Sequence, residues 1–180
     1  EFRRVLFRSV DHLYAAPVFV QHFRQKTLQD LVVVAPDVGS AKMARGFATR
    51  LNAGFAIIDK RRPAANVAEV LNVVGEVEGR DCLIVDDMVD TAGTLAESAR
   101  ALDRGGAKAV YAVITHPVLS GPAVKRIAES PLKELIVTDT IPLRPDARDC
   151  SKLHVVTIAP LLGEAIRRIN NEESVSSLFV

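Results

Sequence analysis

Cysteine is scarce in this chain, with Cys82 and Cys150 the only two in 180 residues. They form no CxxC pair and stand at no Cys/His spacing that would suggest zinc, so neither a disulfide framework nor a zinc module is encoded. A reduced, cytoplasmic protein is the plain expectation. Long apolar runs are missing too: the longest, such as Ala109 to Ile114, fall far short of the roughly 20 residues a membrane span needs. Charge of either sign is not in excess, because 23 basic residues meet 22 acidic ones for a net charge of +1. Without a global basic field there is no case for a nucleic-acid partner, and any anion must be bound by local features. No internal repeat or low-complexity tract occurs. Residues 1–9, EFRRVLFRS, contain three arginines but lack the apolar core of a secretion signal. They fit nothing downstream, and we expect them to be a spurious or expression-derived leader ahead of one domain over residues 10–180.

What is present is an enclosed α/β pattern. Hydrophobic residues make up 48% of the chain and the mean hydropathy is +0.16, which suits a buried sheet rather than a disordered or fibrous chain. Leu31 to Ala35, Phe55 to Asp59, Val73 to Val77, Leu83 to Val85, Lys108 to Thr115, Glu134 to Thr138 and Leu153 to Ile158 read as short strands, several of them continuously apolar as in buried parallel sheets. Between them lie helical patterns. Phe19 and Phe23 stand four apart behind Pro17, Ala44, Phe47, Ala48 and Leu51 share a face, and so do Leu161, Leu162, Ala165, Ile166 and Ile169. Ser120 is expected to cap a helix that has Pro122 in its first turn, and Asp139 to Asp149 reads as loop. His12 and His22 have no partners at ligand spacing and read as structural or solvated. The predicted fold is three-layered, a mainly parallel sheet flanked by helices, with ligands at the carboxyl ends of the strands.

The chemistry is concentrated in Leu83 to Leu95, LIVDDMVDTAGTL. An apolar strand delivers Asp86 and Asp87 to its carboxyl end, Asp90 follows, and Thr91-Ala92-Gly93-Thr94 opens a helix whose apolar face is Ala92, Leu95, Ala99 and Leu102. A helix amino terminus offers free N–H groups and a favourable dipole to phosphate, and Gly93 lets the backbone approach closely. Carboxylates on one side accept hydrogen bonds from sugar hydroxyls or hold magnesium, so a sugar phosphate is addressed at both ends. The plain alternative is an ordinary strand-turn-helix junction with solvated acids and a threonine cap. A second small-residue loop, Pro36 to Ser40, leads into another helix. The compact cluster Lys60-Arg61-Arg62-Pro63 precedes a polar stretch, Ala64 to Asn72, that could fold over a phosphate-bearing site.

The DDMVDTAGTL segment resembles the ribose-5-phosphate signature of the type I phosphoribosyltransferase fold, and its wording is similar to that of the PRPP synthetase family. KRRPAANVAEV, VEGRDCLIVDDMVDTAGTL, SGPA and NEESVS follow in the family's order. The resemblance implies transfer of the terminal diphosphate of ATP to the anomeric hydroxyl of ribose 5-phosphate, with magnesium (Mg2+) and often free phosphate. It assigns Lys60 and Arg62 to a flexible catalytic loop, and Asp86 and Asp87 to the ribose hydroxyls and metal. Thr91, Ala92, Gly93 and Thr94, closed by Asp90, fall to the 5-phosphate. Asp37, Gly39 and Ser40 match the loop for the diphosphate, with Asp37 a further metal ligand beside Asp86 and Asp87. The family more usually has glycine where Ser40 stands and arginine where Met43 stands.

Members are about twice this length, with two similar domains and a hexameric assembly. The resemblance thus implies the second domain of such an enzyme, able to bind ribose 5-phosphate or phosphate with little or no synthetase activity alone. A PRPP-consuming base transferase would need a hood segment, and no insertion supplies one. A non-catalytic regulator of the family is at odds with Lys60, Arg62 and the unbroken acidic signature.

Overall fold

The computed structural model describes residues 12–61 and 70–179. Along the chain run α1 (Ala16–Arg24), β1 (Val32–Ala35), α2 (Ala41–Leu51), β2 (Gly54–Arg61) and β3 (Val70–Val74). They are followed by β4 (Asp81–Val89), α3 (Gly93–Arg104), β5 (Ala109–Pro117), α4 (Ala123–Ala128) and β6 (Leu132–Thr138). The chain then forms α5 (Pro145–Arg148), β7 (Leu153–Val156), α6 (Ala159–Asn170) and a closing 3-10 turn, Ser176–Phe179. The described strands make one sheet in the order β3-β2-β1-β4-β5-β6-β7, parallel throughout except for the edge pair β2/β3. The expected three-layer architecture is therefore what the chain adopts.

Alternation along the central strands divides two cores. Val32, Val34, Cys82 and Ile84 face one side with Leu95, Ala99 and Leu102 of α3, while Val33, Ala35, Leu83 and Val85 face the other with Phe19, Phe23 and Phe47 of α1 and α2. Because both faces are covered, β1 is apolar at every position, VVVA, and fully buried. The Phe19 and Phe47 rings pack 6.4 Å apart, and Phe23 meets Tyr111 edge-on at 6.0 Å.

Four expectations need correction. The third strand is Val70–Val74 rather than Val73 to Val77, and it runs antiparallel to β2. It stops at Gly75, whose φ of +129° and whose absent Cβ, which would lie 2.7 Å from that of Ala56, let the chain turn tightly over its neighbour. The segment Asp139 to Asp149 is not all loop, since Pro145 starts the single turn α5 and buries Ala147. Ser120 does not cap α4; Pro122 occupies that position and the Ser120 hydroxyl turns to Asp90 instead. Finally, the apolar face of α6 buries only Ala165, leaving Leu162, Ile166 and Ile169 exposed.

Candidate functional site

Strand order reverses between β1 and β4: from β1 the chain winds outward through β2 and β3, and from β4 it winds the other way. Crevices form outside the carboxyl ends of strands at such a point. Here the crevice is deepened by unequal lengths. β1 pairs β4 only as far as Val34 opposite Ile84 and ends at Ala35, while β4 continues to Val89 along β5. Asp86 and Asp87 thus stand on a strand that has lost its neighbour on one side.

A cleft of about 540 Å³ opens there, and Asp37, Gly39, Ser40, Asp86 and Asp87 all line it. Asp86 is half-buried and Asp87 exposed, and the Asp87 N–H donates to Asp86 Oδ1 at 3.0 Å. Burial pushes the Asp86 carboxyl up to about 6 from its ordinary 3.8; the Asp87 N–H bond opposes the rise, and the nearby Asp87 and Asp37 carboxylates add to it. The site therefore holds an acid whose ionised form is disfavoured until a cation or a hydroxyl donor offsets its charge. Asp37 is turned back on its own loop. Its Oδ1 accepts from the Ser40 N–H at 2.9 Å, and a Cβ on Gly39 would sit 3.2 Å from that oxygen, so Gly39 makes room for the fold-back. Met43 lines the same cleft.

A second hollow, about 210 Å³, shares Asp37 and Asp86 with the first and is lined by Asp90, Thr91, Ala92, Gly93 and Thr94. Ala92 takes the left-handed conformation at φ +57°, so the strained residue of the turn is the alanine rather than the adjoining glycine. Among the described residues no acceptor takes the N–H groups of Thr91, Ala92, Gly93 or Thr94. The carbonyls just before them are all taken. Val89 O accepts from the Leu119 N–H at 3.1 Å, Asp90 O from the Ser120 N–H at 3.0 Å, and Thr91 O from Arg126 Nη1 at 2.9 Å. Ser120 Oγ also donates to the Asp90 carboxylate. A turn with its carbonyls tethered on one side and its amides open on the other is a cradle for an anion.

Arg126 has no local motif to mark it in the sequence. The available signal was topological: β5 lies beside β4, so the helix after β5 must flank the turn after β4. The predicted cations fare differently. Lys60 lies within β2, paired with Leu71, rather than on a loop, and Arg62 lies outside the described residues. β2 is last paired to β1 at Ile57 and runs on to Arg61, about 13 Å further at the usual rise of a strand, so the end of β2 stands above the rim that bears the carboxylates. Asp37, Asp86 and Asp87 line one cleft, yet among the described residues no group of three or more His, Cys, Asp or Glu side chains is placed to hold a metal ion.

The same architecture occurs in adenine phosphoribosyltransferase from Trypanosoma brucei, solved in complex with AMP, pyrophosphate and ribose-5-phosphate (TM-score 0.53, 16% identity, 80% of this chain and 63% of that one). At that identity the likeness is one of fold. Fold and site together define an α/β protein with the phosphoribosyltransferase-like fold, with an acidic strand end beside an open amide turn. More particularly, the chain belongs to the phosphoribosyl synthetase-associated domain family, whose model matches residues 59–180. It is 57% identical over 170 residues to the ribose-phosphate pyrophosphokinase of Bordetella pertussis, covering 94% of this chain and 55% of that protein. It is also similar to the crystal structure of phosphoribosylpyrophosphate synthetase from Mycobacterium smegmatis (TM-score 0.80, 38% identity, 91% of this chain and 53% of that one). The chain spans about half the length of the curated relatives it matches.

Proposed function

We propose that this chain forms the ribose-5-phosphate half of a ribose-phosphate pyrophosphokinase, the enzyme that moves the terminal diphosphate of ATP onto the C1 hydroxyl of ribose 5-phosphate and releases AMP. The observation that carries the reading is the open amide turn, Thr91 to Thr94, next to Asp86 on one continuous strand-turn-helix. In this reading the turn encloses the 5-phosphate and Asp86 and Asp87 accept hydrogen bonds from the ribose hydroxyls. The Asp37 to Ser40 loop takes the diphosphate end. Lys60, near the end of β2, and Arg62, outside the described residues, would bring cations to the transferred group. Transfer of so charged a group is catalysed mainly by positioning and charge cancellation, which is why acids, amides and cations must converge.

Magnesium (Mg2+) suits the donors available. It keeps several waters and needs only one or two protein carboxylates beside substrate phosphates, so Asp86 and Asp87 would hold its water shell and the ion would offset phosphate charge. The nucleotide half of the site belongs, in this reading, to sequence that the relatives have and these 180 residues do not match. Titration of the chain with ribose 5-phosphate, followed by backbone amide NMR, tests the assignment. Saturable shifts at Thr91 to Thr94 and at Asp86 and Asp87 are expected; shifts confined to other surfaces would overturn it.

A further inference from the structure

The open amide turn is held in shape from outside by the β5–α4 connection, and one side chain of α4 carries the last tether. Left alone, the peptide between Thr91 and Ala92 could rotate and present its carbonyl oxygen to the hollow, repelling an anion there. The tethers at Val89 and Asp90 come from backbone N–H groups that any residue would supply, whereas the tether at Thr91 comes from the Arg126 guanidinium at 2.9 Å. The same Nη1 lies 3.5 Å from where a Cβ on Gly93 would begin, so a full positive charge stands directly behind the helix amino terminus. Glycine at 93 leaves that charge in close contact with the turn.

We propose that Arg126 is a positioning residue for phosphate binding. Its guanidinium pins the Thr91 carbonyl outward, so that the Thr91 to Thr94 amides stay aimed at the ligand, and adds its charge to the field of the α3 amino terminus. The proposal rests on the sugar-phosphate reading of the turn and assigns that reading a residue on a different element. Lysine would keep the charge but lose the planar fork that reaches the carbonyl in a fixed direction.

The test is amide NMR and calorimetry on the full 180-residue chain, with inorganic phosphate and ribose 5-phosphate as probes. Arg126→Gln is expected to weaken both by about tenfold or more and to shrink the phosphate-induced shifts at Thr91 to Thr94, with ligand-free melting within about 2 °C of wild type. Arg126→Lys is expected to fall between the two, about threefold weaker. Wild-type affinity in both variants, while the wild-type amides respond normally, overturns the role of Arg126 and leaves the sugar-phosphate reading standing. A wild-type chain whose 91–94 amides ignore phosphate overturns that reading itself, and this one with it. If Arg126→Gln does not fold, Arg126→Lys decides: a loss of about threefold supports the role, and an unchanged affinity removes it.

Discussion

Asp86 and Gly93 show how single residues at the rim are shaped for a ligand rather than for the fold. An acid whose carboxyl is raised to about 6 by burial is a stability cost when ionised. Between its ordinary 3.8 and about 6 the folded state holds the extra proton, so stability contributed at this site falls as pH rises through that window and stays low above it. Asp86→Asn is accordingly expected to match wild type near pH 4 and to be more stable by roughly 1 to 2 kcal/mol above pH 6.5, a range reduced for the half-exposed position. Urea denaturation of both proteins across that pH range, without divalent cations, would read it. Gly93 makes the opposite point. Its φ is not left-handed and a Cβ there meets nothing closer than 3.5 Å, so the fold alone does not demand glycine. Gly93→Ala should leave ligand-free stability unchanged or raise it by up to about 1 kcal/mol, while ribose 5-phosphate binds about tenfold more weakly. Thermal melting with and without ribose 5-phosphate separates the two effects, and equal ligand-induced shifts in both proteins would show that no ligand approaches this backbone. Cys82, buried and with its thiol pushed up to about 12, is expected to resist alkylation in the native state and to react only on unfolding.

At the scale of elements, the site is made by differences in length and by neighbours. β4 outlasts β1, and the β5–α4 connection braces the turn after β4. The β2/β3 hairpin depends on Gly75, where a methyl group would come within 2.9 Å of the Ala56 Cα at a φ that side chains rarely adopt. Gly75→Ala is therefore expected to lower stability by about 2 to 4 kcal/mol, measured by denaturant unfolding. Sequence periodicity located the central strands well, because a short, unbroken apolar run bounded by turn residues is what a strand covered on both faces requires. It misjudged β3, since an edge strand is covered on one face only and alternates weakly. It also gave Ser120 a capping role on spacing alone. Asp90, 30 residues earlier in the chain, is the partner the hydroxyl takes.

At the scale of the molecule, both faces of the sheet are packed, but α6 turns Leu162, Ile166 and Ile169 outward and the acidic cleft is open to solvent along the rim. If the nucleotide half of the enzyme comes from other sequence, the 180-residue chain binds ribose 5-phosphate and forms no PRPP from it with ATP. Release of AMP measured in a coupled assay checks this, and turnover above background refutes it. What the sequence by itself determined is the run of local commitments: apolar strands, a helix opened by Thr-Ala-Gly-Thr, and acids placed at a strand end, all of which depend on neighbours a few residues apart. Only the tertiary structure decided which loops meet. The reversal of strand order between β1 and β4 brings Asp37 to Asp86, and the adjacency of β4 and β5 brings Arg126 to Thr91, 35 residues away, because parallel pairing joins segments that no local pattern connects.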